Sequence, residues 1–462
     1  MRILLVIYDN DSYINWFPQG LAYIASVYKK AGHDVVIYSQ DVYHYPEDHL
    51  TDYLTHHHFD MVGVNVIAGY YQYRKLLKIS EAINAVPNRP FYVIGGHGPS
   101  PEPEYFLKKT GADLVVIGEG EQTALDIVDV LEGRKRLADV QGIAYLDSGN
   151  LIKTAERPLI RNLDDIPLPA YELFSMDHYT LLRMPHITNA ERCIPILSGR
   201  GCTFRCSFCY RMDKGFRPRS AESIIEEINL LKKDYGVTYI AFADELLMSS
   251  EKRTIALCEA FIKAKLNVKW DCNGRLNFAK TDLLRLMKQA GCVFINYGIE
   301  AVDDQVLKNM NKKLTVKQIV AGIECTLACG ISPGYNIIFG NVGDTKETLQ
   351  KGVEFLLKYD DHFQLRTIRP MTPYPGCDLY YDAIKKGLLR DVADFYENKH
   401  VNSDLVSVNF TDMTDEEFHY ALFEANKTLL TNYYNNQLKK IIDVSYDLYI
   451  NKNFSFRGYR HR

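Results

Sequence analysis

The sequence predicts an α/β protein with three parts: an N-terminal doubly wound parallel sheet, a partial (β/α)6 barrel of the TIM type, and a helical C-terminal region. Three observations carry this expectation. Short apolar runs alternate with amphipathic helical stretches in two separate series, a weakly patterned stretch lies between them, and after Gly387 the pattern is helical throughout. Short, nearly continuous apolar strands separated by helices mark parallel sheets covered on both faces.

The first series opens with Ile3-Leu4-Leu5-Val6-Ile7, then a helix over 20–31, Val35-Val36-Ile37-Tyr38 and a strand within 61–67. A helix over about 72–86 follows, then Tyr92-Val93-Ile94 and Leu114-Val115-Val116-Ile117. Doubly wound sheets bind ligands outside their C-terminal strand ends. Here those ends read Ala68-Gly69, Gly95-Gly96-His97-Gly98 and Gly118-Glu119-Gly120-Glu121. The pattern then weakens into a hairpin around Asp147-Ser148-Gly149-Asn150 and a stretch at Asp164-Asp165-Ile166-Pro167-Leu168-Pro169, which reads as a connector.

The second series runs Ile194-Pro195-Ile196-Leu197, Tyr239-Ile240-Ala241-Phe242, Val268-Lys269-Trp270, Val293-Phe294-Ile295, 335–339 and 363–368. Six strands with intervening helices make a partial or complete barrel, with chemistry at the C-terminal strand ends. Thr414 and Glu417 are spaced as a capping box for a helix to about Lys440. The expected boundaries are 1–135, 136–190, 191–387 and 388–462.

At 462 residues the chain exceeds one ordinary core, and 47% hydrophobic with 24% charged residues describes a folded protein. A net charge of −4 argues against a nucleic-acid partner. No apolar run approaches the length of a membrane span, and the chain begins on a strand-like run, so a cytoplasmic address is expected. In a reducing compartment ten cysteines point to metal binding before disulfides.

The metal motif lies after the first strand of the second series, in Ser198-Gly199-Arg200-Gly201-Cys202-Thr203-Phe204-Arg205-Cys206-Ser207-Phe208-Cys209-Tyr210. Three thiolates within eight residues, on a loop opened by two glycines, can wrap one inorganic cluster. A fourth ligand is missing, which leaves one iron open to a substrate or cofactor. The competing reading is a structural zinc completed by Cys193, which lies at the far end of the strand, or by a distant residue.

On this CxxxCxxC spacing, with Phe208 before the last cysteine, the chain resembles the radical S-adenosylmethionine (SAM) superfamily. The resemblance implies that Cys202, Cys206 and Cys209 hold three irons of a [4Fe-4S] cluster while the fourth chelates SAM, whose reductive cleavage gives a 5′-deoxyadenosyl radical. It implies a SAM site at the strand ends: Phe208, Asp244 and Glu245, Asn273 and Arg275, Gly298 and Glu300 with Lys312 beyond, and Gly340. Asp244 as a helix cap, Asn273 and Arg275 as solvated strand ends, and the glycines as ordinary turns are the plainer alternatives.

Thr372-Pro373-Tyr374-Pro375-Gly376 resembles a stretch of the superfamily branch that carries an N-terminal Rossmann-like, cobalamin-binding domain, with Cys377 in place of the usual threonine. Pro18-Gln19-Gly20-Leu21-Ala22-Tyr23-Ile24-Ala25, Gly95-Gly96-His97-Gly98-Pro99-Ser100 and Gly118-Glu119-Gly120-Glu121 resemble the same branch. The implied corrin contacts are Pro18, Gly20, Asn65, Val66, Ala68, Gly69, Gly95, Gly96, His97, Gly118, Glu119, Gly120 and Glu121, with the loop 65–71 foremost. The sequence has no DxHxxG motif, and since much of the branch also lacks it, the resemblance to a cobalamin-binding domain stands with a non-histidine lower face. GxGxxG and P-loop patterns are also missing.

Other residues carry plainer expectations. His56-His57-His58 reads as a solvated helix end, and Cys258, Cys272, Cys292, Cys325 and Cys329 as buried free thiols. Cys377 is a candidate reactive thiol near the site. Tyr433, Tyr434, Tyr446 and Tyr449 are read as core packing, with a cover for the barrel mouth as the alternative.

The function this implies is a cobalamin-dependent radical SAM enzyme that transfers methyl to an unactivated carbon of a small molecule or peptide, with flavodoxin or ferredoxin as electron donor. The alternatives are ring closure or rearrangement in the manner of the anaerobic porphyrin cyclases, a radical SAM enzyme without cobalamin, and a non-catalytic metal scaffold.

Overall fold

A computed structural model describes residues 1–9, 16–67, 69–184, 186–212, 215–453 and 455. The first sheet contains β1 (Arg2–Ile7), β2 (Asp34–Ser39), β3 (Met61–Asn65), β4 (Phe91–Gly95) and β5 (Leu114–Val116), parallel in the order β2-β1-β3-β4-β5. Alternation along β1 shows how it is built. Ile3, Leu5 and Ile7 face one core with Ala22 and Ala25 of the helix Gln19–Lys30 and Ile127 of Glu121–Leu131. Leu4, Val6 and Tyr8 face another with Leu50, Leu76, Ile79 and Phe106 from three further helices. Period-two side chains buried on both faces are what a doubly wound sheet requires.

The hairpin expected in the connector forms as β6 (Ile143–Asp147) and β7 (Asn150–Lys153). It pairs antiparallel with β5, Val115 opposite Ala144, and so extends the first sheet. The outer edge of β5 would otherwise present unpaired backbone groups.

The second sheet is parallel throughout, from β8 (Cys193–Ile196) outward. A two-residue ribbon, β9 (Gly199–Arg200) with β10 (Arg217–Pro218), brackets the cysteine loop. Next come β11 (Tyr239–Phe242), β12 (Lys269–Gly274), β13 (Cys292–Glu300), β14 (Ser332–Phe339) and β15 (Arg369–Pro370), giving the sheet order β15-β14-β13-β12-β11-β8. The sixth strand departs from expectation. Residues 363–368 form no strand: Phe363 is 50% exposed, while Arg366 turns inward to Asp360 and Asp361. Pairing with Ile338 and Phe339 begins only at Arg369.

The capping box forms as read, with Glu417 N donating to Thr414 Oγ1 and Thr414 N to Glu417 Oε2, but the helix continues to Tyr449. Only Phe418, Leu422, Ala425 and Leu429 of it are buried, and Phe418 stacks on Phe339 at 4.9 Å. Tyr434, Tyr446 and Tyr449 are exposed, so the core-packing reading fails for them: the helix outruns the barrel it packs on. The C-terminal region also grips the first sheet's helices. Tyr396 stacks on Tyr73 at 4.8 Å, and Glu397 accepts hydrogen bonds from the Tyr73 and Tyr105 hydroxyls at 3.1 and 3.0 Å. His56 and His57 end their helix in solvent, as expected, each ring Nδ1 lying against the carbonyl four residues back. No helix among the described residues is long and apolar enough to cross a membrane.

Candidate cofactor site between the two sheets

The cysteine loop is anchored at its root. Asp244, at the end of β11, accepts hydrogen bonds from Ser198 N (2.6 Å), Gly199 N (3.3 Å) and the Ser198 hydroxyl. Arg253 donates to the Ser198 carbonyl and hydroxyl at 2.7 and 2.8 Å. Asp244 is 1% exposed, and burial raises its carboxyl above the ordinary range. It caps no helix: Ser250 caps the helix that follows. Glu245 is exposed and lines the cavity described below.

The sulfurs lie among cations. The Cys206 thiol is lowered because Cys209 donates a hydrogen bond to it, with Lys312 and Arg275 adding positive charge against burial. The same bond and burial raise Cys209, and burial raises Cys202. Arg275 stacks 3.5 Å over the Phe204 ring and donates to the Lys312 carbonyl. Lys312 Nζ in turn binds Glu300 Oε1 at 2.8 Å and lies 5.8 Å from the Phe208 ring centroid. Gly298 explains itself here: a Cβ on it would stand 2.3 Å from Glu300 Oε1 and 2.9 Å from Lys312 Nζ. Flanking cations favour thiolates, the form that ligates iron.

No three His, Cys, Asp or Glu side chains among the described residues converge on one metal-ion position, as three thiolates gripping different irons would not. Cys193 is fully buried at the start of β8, away from the loop, and the zinc alternative finds no fourth ligand in it. Asn273 joins the strand ends, donating to the Asp244 carbonyl at 2.7 Å and accepting from Asn296 at 3.0 Å. Gly340, at φ +103°, turns its Cβ side to Phe418, 2.8 Å from where a Cβ would stand, so its smallness admits the C-terminal helix.

Cys377 is not a site residue. Buried, with its thiol raised to about 11, it caps the helix Asp378–Lys385 by accepting from Tyr380 N at 3.3 Å. Beside it Gly376 packs where a Cβ would strike the Tyr210 ring at 2.5 Å and Pro101 at 2.9 Å. The TPYPG stretch is therefore a junction between the cysteine loop and the first sheet.

A cavity of about 450 Å³ lies where the C-terminal strand ends of both sheets meet. Of the expected corrin contacts, Pro18, Gly20, Asn65, Gly95, Gly96, His97, Gly118, Glu119, Gly120 and Glu121 line it, beside Asp244 and Glu245. Val66 and Gly69 are buried off the wall, and Ala68 lies outside the described residues. Backbone conformation, a positive φ, explains two of the glycines. A Cβ on Gly96 (φ +108°) would collide with Asn65 Oδ1 at 2.5 Å and Val66 O at 2.6 Å; Gly118 (φ +80°) has open space. Such a rim lets a broad, flat ligand approach the backbone.

Ile67, from the foremost expected loop, lines the wall, while sequence reasoning missed Tyr23, Ile24, Leu197, Arg200 and Met212 in it. Tyr23 and Ile24 share a helical face with Gly20, a spacing visible in the sequence; Met212 carried no signal. Leu5, Tyr28, Met61, Val93, Val116, Ala124 and Ile127 continue the cavity as an apolar slot between sheet and helices.

Glu119 and Glu121 are engaged by the barrel. Arg200 reaches Glu119 Oε1 at 2.8 Å and Glu121 Oε1 at 2.5 Å, and Arg217 Nη1 reaches both oxygens of Glu119 at 2.9 Å. Ile160 N donates to Glu119 Oε2 at 2.8 Å.

An anchored three-cysteine loop on a parallel half-barrel, facing a glycine-rimmed doubly wound sheet, defines a radical SAM enzyme with an attached ligand-binding domain. The comparisons agree. Residues 196–356 match the radical SAM superfamily and residues 7–128 the B12 binding domain. An uncharacterized methyltransferase of Pyrococcus horikoshii is 30% identical over 400 residues, 84% of each chain. The anaerobic magnesium-protoporphyrin IX monomethyl ester cyclase of Rubrivivax gelatinosus is 30% identical over 378 residues, 80% of this chain and 66% of that one.

Among solved structures, the cobalamin-dependent SAM radical enzyme OxsB with aqua-cobalamin and SAM bound superposes with a TM-score of 0.67 at 20% identity, over 93% of this chain and 56% of that one. The radical SAM methyltransferase TsrM from Kitasatospora setae, with cobalamin and a [4Fe-4S] cluster bound, gives 0.68 at 16% identity, over 83% and 78%. The chain belongs to the cobalamin-binding radical SAM family, whose cofactors are a [4Fe-4S] cluster, SAM and cobalamin.

Proposed function

We propose that this enzyme transfers a methyl group to an unactivated carbon of a small-molecule or peptide substrate, in the cytoplasm, with reduced flavodoxin or ferredoxin as electron source. The observation that carries it is a cavity walled by the C-terminal ends of both sheets. When bound, the cluster and SAM supply a hydrogen-abstracting radical, and cobalamin supplies the methyl group.

The protein's part is placement. Cys202, Cys206 and Cys209, within 191–387, hold the cluster, with Arg275 and Lys312 keeping the thiolates charged. Glu245, Asn273, Arg275, Glu300 and the backbone at Gly298 and Gly340 orient SAM, with Asp244 fixing the loop root and Phe208 backing the loop. The glycine rim with Asn65 and His97, within 1–135, would seat the corrin, with the apolar slot beside them.

The test is anaerobic reconstitution followed by assay with methyl-labelled SAM against candidate acceptors. About one cluster per chain, reductive SAM cleavage and label transfer are expected, and Cys206→Ala should reduce cleavage to background. Cleavage that survives in Cys206→Ala would refute the cluster assignment. Similarity to the porphyrin cyclase favours a second reading, radical ring closure. Product oxidised without label would select it.

A further inference from the structure

We propose that Glu119, clamped between Arg200 and Arg217, is a positioning residue that locks the turn 118–121 of the first sheet to the cysteine loop, so that the two cofactor seats keep one fixed separation. Arg200 and Arg217 are directly opposite each other on the β9–β10 ribbon. Two guanidinium groups at paired positions repel. They are held together because Glu119 accepts from both, at 2.8 and 2.9 Å, while Glu121 takes the second arm of Arg200 at 2.5 Å.

All four side chains are largely buried: 15% and 14% exposed for the arginines, 4% and 9% for the glutamates. Water therefore screens little of the attraction, and loss of one partner leaves buried charge uncompensated. Arg217 also donates to the Ile160 carbonyl at 2.6 Å, and the Arg200 guanidinium lies 5.3 Å from the Tyr23 ring centroid on the cavity-lining helix.

The ribbon passes this constraint on stiffly. A Cβ on Gly199 would stand 2.5 Å from the Phe216 ring and 2.8 Å from the Arg217 carbonyl, so the two strands lie in close contact. Arg253 stacks on Phe216 at 4.8 Å and holds Ser198, which Asp244 also holds. Cys202 follows Arg200 by two residues. Gly118, Glu119, Gly120 and Glu121 line one side of the cavity, and Gly199, Arg200 and Gly201 the other. The value of this latch to the reaction rests on the cofactor assignment above, whereas the mechanical coupling does not.

Arg217 lies outside the cavity wall, so changing it alters the latch without touching a ligand. Two measurements on the full chain with its cluster reconstituted separate the parts. In hydrogen exchange without cobalamin, Arg217→Gln should speed exchange about tenfold both in 118–121 and in 199–202, with β11 to β14 unchanged and Arg217→Lys intermediate. Unchanged exchange in 118–121, or a uniform rise across the barrel strands, overturns the latch.

In pulsed paramagnetic resonance with cob(II)alamin and the reduced cluster, the cluster-to-cobalt distance distribution should be narrow in the native protein and broad in Arg217→Gln. An unchanged distribution overturns the positioning role. A native chain that retains no cobalamin refutes the proposed function, and the exchange measurement still decides the latch.

Discussion

Along the first sheet, the strand ends facing the cavity are mostly glycine: Gly95, Gly96, Gly118 and Gly120 present backbone, and the fit comes from where the chain turns. Along the barrel, the ends of β11 to β13 carry Asp244, Asn273, Arg275 and Glu300, and each is tied to another group: Ser198, Asn296, the Lys312 carbonyl and Lys312. One surface is shaped by main chain, the other by a polar network in which side chains hold one another. The difference sets how each side responds to change. A network with one member removed leaves buried charge, so the barrel side is expected to fail abruptly. A backbone rim loses fit by degrees.

The largest effect should come from breaking the network without touching a charged residue. Gly298→Ala drives a methyl into the Glu300–Lys312 pair. Overpacking that pushes the two side-chain ends aside predicts about 1–3 kcal/mol of destabilisation, read by denaturant titration, together with reduced SAM cleavage. A stable, fully active variant would mean that the pair is not essential to this wall.

A smaller effect concerns the contact between the C-terminal region and the first sheet. His400 is fully buried against Phe395, and burial lowers its pKa from its ordinary value of 6.5 to about 4. The unfolded chain then binds a proton that the folded chain refuses between pH 6.5 and 4. Stability is full above this window and falls as pH drops through it, by about 2 kcal/mol near pH 5. His400→Phe should flatten that part of the stability profile. The smallest effect belongs to Cys377→Ser. Serine caps helices well, so stability should change by less than about 0.5 kcal/mol and SAM cleavage not at all. A large loss of cleavage would return that thiol to the reaction.

How much of this was legible follows from what is local. The strand runs, the cysteine spacing and the Gly-rich strand ends are contiguous stretches, and they placed both sheets, the cluster loop and twelve residues of the cavity wall. Glu119 was legible as a strand-end residue of the cavity, but its partner Arg217 lies 98 positions away, and no local pattern marks such a pair. Asp244 was located at the right strand end, but its hydrogen bonds to Ser198, 46 positions back, were not visible. The sixth strand failed for a related reason. Phe363 and Leu365 look like strand residues until Arg366 is paired with Asp360 and Asp361. Tyr434, Tyr446 and Tyr449 repeat at helical spacing, yet spacing does not say whether another element covers the face they make.

The central claim is that the glycine rim seats cobalamin beside the cluster. It is tested most directly by titrating cluster-loaded protein with hydroxocobalamin and following the corrin absorption, with Gly118→Val as the altered rim. Gly118 stands at φ +80° with open space around it, so valine strains the turn by about 1–2 kcal/mol and fills the wall. The account predicts one cobalamin per chain in the native protein and affinity weakened by about tenfold or more in the variant. A native protein that retains no cobalamin, or equal affinity in the two, would contradict it.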